Sequence, residues 1–217
     1  MTIVLAIPTT DGIILASDSQ ITAGQLRTRG KKIKKLNENC IWGASGRGSL
    51  IQRVEEKLDN LPRKNNSLAE IRDDLSKAIK ECVKELFNMD QQLPSEDFVF
   101  VDYQKGPRIL HIDTNGTPEW IDTGVFGIGI GRSFVHTLLE KYHELVPNKI
   151  NVEKGALLAF KVIEEAIEVG AYGLGPPIDI WCITNSMIKN FSVTEVDNLR
   201  DKCLKLRKDE MDLLIKD

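Results

Sequence analysis

The sequence predicts an α+β fold in which two antiparallel sheets stack face to face between layers of helices, a four-layer αββα sandwich. Three observations carry that prediction. Two short runs, IVLAI at 3–7 and IILA at 13–16, are apolar at every position and rich in β-branched residues, and CIWGAS at 40–45, FVFVDY at 98–103 and IDIWCIT at 178–184 have the same look. A strand with one wet face alternates polar and apolar, so these strands are covered on both faces. The segments between them are amphipathic at helical spacing. Strands and helices also come in separate groups, which argues against a parallel βαβ arrangement.

Taken in order, IVLAI and IILA flank the turn signal PTTDG and read as a hairpin. With residues 9–12 as its loop, the partner of residue i is about 21 minus i, setting Ile3 beside Asp18 and Thr2 beside Ser19; a two-residue Asp11-Gly12 turn shifts this by only two. The KKIKKL strand and CIWGAS follow. The helix at 49–61 places Leu50, Ile51, Val54 and Leu58 on one face, and that at 67–87 repeats the pattern with Leu68, Ile71, Leu75, Ala78, Ile79, Cys82 and Leu86. Ser67 followed by Glu70 is a capping box that sets the start of the second helix. Strands across about 97–129, helices near 132–145 and 152–169, strands around 178–192 and a charged helix at about 194–214 complete the order. Nothing reads as a linker, so residues 1–217 are expected to form one domain.

Composition narrows the function. Hydrophobic residues make up 41% and charged residues 28%, which supports a sizeable core and excludes a disordered chain. The net charge of −3, with GKKIKKLN as the basic cluster, gives no footprint for nucleic acid. Cys40, Cys82, Cys182 and Cys203 are scattered, and His111, His136 and His143 stand apart, so packed thiols and no metal or other cofactor are expected. No window has the length of a membrane span and the first residues do not read as a signal peptide, so the expectation is a cytoplasmic protein with no membrane contact.

Two glycine-rich stretches bear on chemistry. VFGIGIGRSF lacks the dinucleotide pattern because Arg132 stands where glycine is required, and it reads as a tight turn or close backbone approach before a helix. GASGRGS at 43–49 joins a strand to a helix in a way that leaves backbone N–H groups pointing into a cleft, the arrangement of an oxyanion hole.

The hairpin itself raises the sharper question. A buried strand ending in SDS carries the carboxylate of Asp18 into the sheet, which demands a cationic or hydrogen-bonding partner. Lys31, Lys32, Lys34 and Lys35 of KKIKKL are the candidates. Beside Asp18 stands Thr2. Once Met1 is removed, Thr2 bears a hydroxyl and a free α-amine, with an unperturbed pKa of about 7.7–8.0, that can act as the base for that hydroxyl. A nearby lysine ammonium favours the neutral amine, and Asp18 holds the lysine.

The stretch TIVLAIPTTDGIILASDSQITAG, followed by KKIKKLN and IWGASGRG, resembles the N-terminal third of proteasome β-type subunits and HslV-type peptidases. The resemblance implies the N-terminal-nucleophile hydrolase fold and a threonine peptidase with Thr2 as nucleophile, Asp18 and Lys32 tuning its amine, and Gly46 as oxyanion amide. It further implies that Thr22 contacts peptide backbone, and that Ile21, Gly30, Ala44 and Gln52 line the first specificity pocket, kept roomy by Gly30 and Ala44. Implied partners are a peptide or unfolded-protein substrate, further copies in a homo-oligomeric ring, and an ATP-dependent unfoldase. Where the family carries polar residues in its late loops, this chain has Ile130, Ala171 and Leu174. The alternatives are a non-catalytic ring or scaffold subunit, and an amidase or transpeptidase using the same Thr2.

Overall fold

The computed structural model describes residues 2–86, 95–122, 124–139, 142, 149–169 and 173–215. The predicted sandwich is present. Its first sheet runs β10-β1-β2-β11-β12, built from Phe126–Ile128, Val4–Pro8, Gly12–Asp18, Ile178–Thr184 and Ile188–Asn190. The second runs β5-β6-β7-β8-β9, from Ile33–Lys35, Cys40–Ser45, Asp97–Tyr103, Pro107–Asp113 and Pro118–Trp120. Neighbours within both sheets pair antiparallel.

The alternation of side chains across each strand explains why the runs in β1 and β2 are apolar on both faces. Val4, Ala6, Ile13 and Leu15 of the first sheet pack against Ile33, Ile41, Val99 and Val101 of the second, forming the middle layer of the core. Their neighbours Ile3, Leu5, Ile14 and Ala16 point the other way, onto α3 (Arg132–Leu139) and α4 (Val152–Glu168) through Val135, Ala159 and Phe160. On the far side, Trp42, Phe98, Phe100 and Leu110 meet α1 (Gly48–Asp59) and α2 (Leu68–Leu86) through Leu50, Val54, Ile71 and Leu75. The Trp42 and Phe100 rings stack there at 5.9 Å.

Local signals hold at several boundaries. The hairpin register runs from Val4 opposite Ser17 to Pro8 opposite Ile13, as the 21-minus-i pairing requires. The Glu70 carboxylate accepts from the Ser67 N–H and hydroxyl at 3.0 and 2.6 Å, which caps α2. All four cysteines are buried free thiols. The predicted helix at 132–145 is seen as α3 to Leu139; residues 140–141 and 143–148, including His143, lie outside the described residues.

A second, small hairpin was not predicted. β3 (Gln20–Ala23) pairs with β4 (Leu26–Arg29) across a turn where Gly24 has φ +61°. Its β4 strand, LRTR, is exposed along its length, so it has no apolar face to announce it. The last helix, α5 (Val193–Ile215), buries only Val196, Leu199 and Cys203 and is tied to α4 by exposed ion pairs such as Lys202–Glu153 at 2.6 Å and Arg207–Glu168 at 2.9 Å.

Candidate active site

The first hairpin delivers Asp18 to the chain's beginning. The Ile3 N–H donates to Asp18 Oδ1 at 3.1 Å, and the carboxylate is fully buried. Its other oxygen, Oδ2, accepts from the N–H groups of Gln20 at 3.1 Å and Gly175 at 3.2 Å. Lys32, just ahead of β5, completes the set with Nζ at 2.6 Å from Oδ1. Three backbone donors and one ammonium offset the cost of burying this charge. Burial pulls the Lys32 pKa below its ordinary value, and the charge and hydrogen bond of Asp18 pull the other way.

Thr2 is buried beside this pair, and its carbonyl accepts from the Gly131 N–H at 3.2 Å. The loop that supplies Gly131 arrives because β10 pairs with β1, Ile128 opposite Val4. Gly129, at φ +84°, lies so near that an added Cβ would stand 2.2 Å from the Thr2 carbonyl oxygen. The glycine-rich loop is therefore a close backbone approach, with no phosphate geometry needed to explain it.

The turn after β6 is built around Gly46, at φ +139°, where an added Cβ would fall 1.0 Å from Glu96 Oε2. That oxygen accepts from the Arg47 N–H at 2.6 Å. Glu96 is 2% exposed, and desolvation raises its pKa against the opposing bond from Arg47. Sequence reading missed Glu96. The only signal was the antiparallel register of β6 and β7, Ser45 opposite Asp97, which carries on to set Glu96 across from Gly46.

A cavity of about 170 Å³ opens among these groups. Thr2, Lys32, Ala44 and Gly46 line it, with Gln52 from α1 and Ile21 and Thr22 from β3. Asp18 lies behind the wall, joined to it through Lys32. Gly30 is not brought to this wall. The Ile21 side chain fills the space a Cβ there would need, with Cδ1 2.2 Å away, and Gly30 instead lines a neighbouring cavity of about 440 Å³ with Ser19 and Pro177. Its small size thus accommodates Ile21. Of the late-loop positions, Ile130 is 53% exposed, Leu174 packs into the core facing α4 and Ala171 lies outside the described residues, as does Met1 at the start of the chain.

A family model described as proteasome subunit matches residues 2–176, most of the chain and every position of this site. The chain belongs to the proteasome subunit family. A proteasome subunit beta of Methanococcus vannielii is 24% identical over 207 residues, covering 90% of this chain and 89% of that protein. Among solved structures, Anbu (ancestral beta-subunit) from Yersinia bercovieri superposes with a TM-score of 0.80 at 14% identity, over 99% of this chain and 97% of that one. An Anbu (Gly-1) mutant from Hyphomicrobium sp. strain MC1 gives 0.75 at 17% identity, over 98% and 97%. At such identities the structural likeness establishes the shared fold. Proteasome subunits assemble into oligomeric rings, and among the described residues no helix of this one is long and apolar enough to cross a membrane.

Proposed function

We propose that the chain is a threonine-type peptidase of the N-terminal-nucleophile class, in which Thr2, released by removal of Met1, attacks peptide carbonyls. The observation that carries this reading is the convergence of Thr2, the buried Lys32–Asp18 pair and Gly46 on one small cavity.

In this reading the Thr2 α-amine accepts the hydroxyl proton as Oγ1 bonds to the substrate carbonyl carbon, and the carbonyl becomes an oxyanion stabilised by the Gly46 N–H. Collapse of that intermediate breaks the C–N bond, with the amine's proton passing to the leaving group. Water then attacks the ester, giving its proton to the same amine, and the acid product departs as the Thr2 hydroxyl re-forms. The Lys32 ammonium keeps the α-amine neutral by like-charge repulsion, and Asp18 keeps Lys32 in place. Thr22, on the cavity wall, offers its backbone to an extended peptide laid beside the site. The substrate class proposed is peptide or unfolded protein, presented in the cytoplasm to a homo-oligomeric ring fed by an ATP-dependent unfoldase.

The test is covalent. A threonine-directed β-lactone should add its mass to the intact protein at Thr2, and the adduct should vanish in Thr2→Ala. Intact mass also reports the start of the chain. Protein that retains Met1 throughout, or that lacks Met1 and yet forms no adduct and cleaves no peptide, overturns the peptidase reading in favour of a non-catalytic ring subunit. Cleavage of small amides but not peptides through Thr2 would point to an amidase instead.

A further inference from the structure

We infer that the cavity at Thr2 selects acyl donors with an acidic side chain, glutamate or aspartate, and that Lys31 is the residue that sets this preference. The inference rests on the peptidase reading above and names its substrate class.

Three lysines, Lys31, Lys32 and Lys34, line the cavity, and among the described residues no carboxylate does. Three acids around it are engaged by other groups. Asp18 holds Lys32, Glu55 pairs with Lys34, and Glu96 accepts from the Arg47 N–H. Two of the three cations are thus matched by a carboxylate outside the lining, Asp18 buried and Glu55 partly exposed. Lys31 is exposed and, among the described residues, makes no direct ion pair. Its field reaches Asp179 on the neighbouring cavity, where it opposes the rise that burial imposes on that acid.

The remaining wall suits the same ligand. Gln20 and Gln52 contribute amides, and Ile21 and Ile51 give apolar surface for a short aliphatic stem. α1 begins here at Gly48 with no acidic residue in its first turn, so the positive end of its backbone dipole adds to the lysine field. In a partly enclosed cleft such charges are screened less than on an open surface. A carboxylate is drawn in and an ammonium is turned away.

Binding can be read without turnover. Acetylated tripeptide amides differing only in a last residue of Glu, Leu or Lys are titrated calorimetrically against full-length Thr2→Ala protein. The Glu peptide should bind about tenfold tighter than the Lys peptide, with Leu between them. Lys31→Glu should erase or reverse that ratio, Lys31→Arg should keep it, and high salt should shrink it. Undetectable or equal binding of the three, or a Glu-to-Lys ratio unchanged in Lys31→Glu, overturns the inference. Hydrolysis by wild-type protein separates the two readings. Selective binding with no Thr2 adduct and no cleavage sinks the peptidase alone, whereas cleavage without preference sinks the charge selection alone.

Discussion

Lys32 Nζ lies 2.6 Å from Asp18 Oδ1, with the two side chains 7% and 0% exposed. The pair is asymmetric. Asp18 has three further donors, the N–H groups of Ile3, Gln20 and Gly175. Asp18→Ala therefore takes the buried carboxylate away from the Lys32 ammonium and three backbone donors together, and should cost about 3–5 kcal/mol in urea denaturation. Lys32→Met leaves the carboxylate its backbone partners and should cost less, on the order of 1–3 kcal/mol. Equal losses would contradict this account.

Gly46 should tolerate no side chain while Glu96 is present. Gly46→Ala forces the Glu96 carboxylate off the Arg47 N–H and strains a backbone at φ +139°, for a loss of about 2–4 kcal/mol. In the Gly46→Ala/Glu96→Ala double variant the collision is gone and only the backbone strain and the lost hydrogen bond remain. A thermodynamic cycle should show coupling of at least about 0.5 kcal/mol, and strict additivity would rule the collision out.

Gly129 and Gly24 form a controlled comparison. Both have positive φ, but a Cβ on Gly24 meets nothing within 4 Å, whereas one on Gly129 meets the Thr2 carbonyl at 2.2 Å. Gly24→Ala should cost about 1 kcal/mol and leave β-lactone labelling of Thr2 at the wild-type rate. Gly129→Ala should displace Thr2 and slow labelling by about tenfold or more, since an ångström of misplacement is costly to a reacting group. Equal labelling rates in the two variants would exclude a positioning role for this loop.

Glu96 also makes a prediction in pH. Burial raises its pKa above the ordinary 4.5, so in the window above 4.5 the folded chain holds a proton that the unfolded chain has released. Stability drawn from this group is present below the unfolded value and declines as pH rises through the folded one. Glu96→Gln keeps an acceptor for the Arg47 N–H without the charge. Measured against wild type by denaturant titration, its relative stability should increase between about pH 4 and pH 8. A difference that stays flat or falls would show that the carboxylate is better solvated than its burial implies.

Much of this arrangement is legible in the chain. Runs such as IVLAI and IILA are apolar at every position because each strand lies between two layers, and that pattern alone implies stacked sheets under helices. The short loop of the first hairpin sets its register, and the register brings Asp18 to Ile3 and Thr2. These are local consequences of side-chain period and turn length. What the tertiary structure decided are relations between segments far apart in sequence. Of four lysines in KKIKKL, Lys32 meets Asp18, Lys34 meets Glu55 on α1 and Lys35 meets Glu38. Glu96 reaches Gly46 only through the pairing of β6 with β7, and Gly30 yields its space to Ile21 across an exposed hairpin that no hydrophobic pattern foretells. A single chain's periodicity states which face of each element is buried. Which neighbour that face meets, and in what register, is decided when the sheets close and polar groups compete for the few partners left inside.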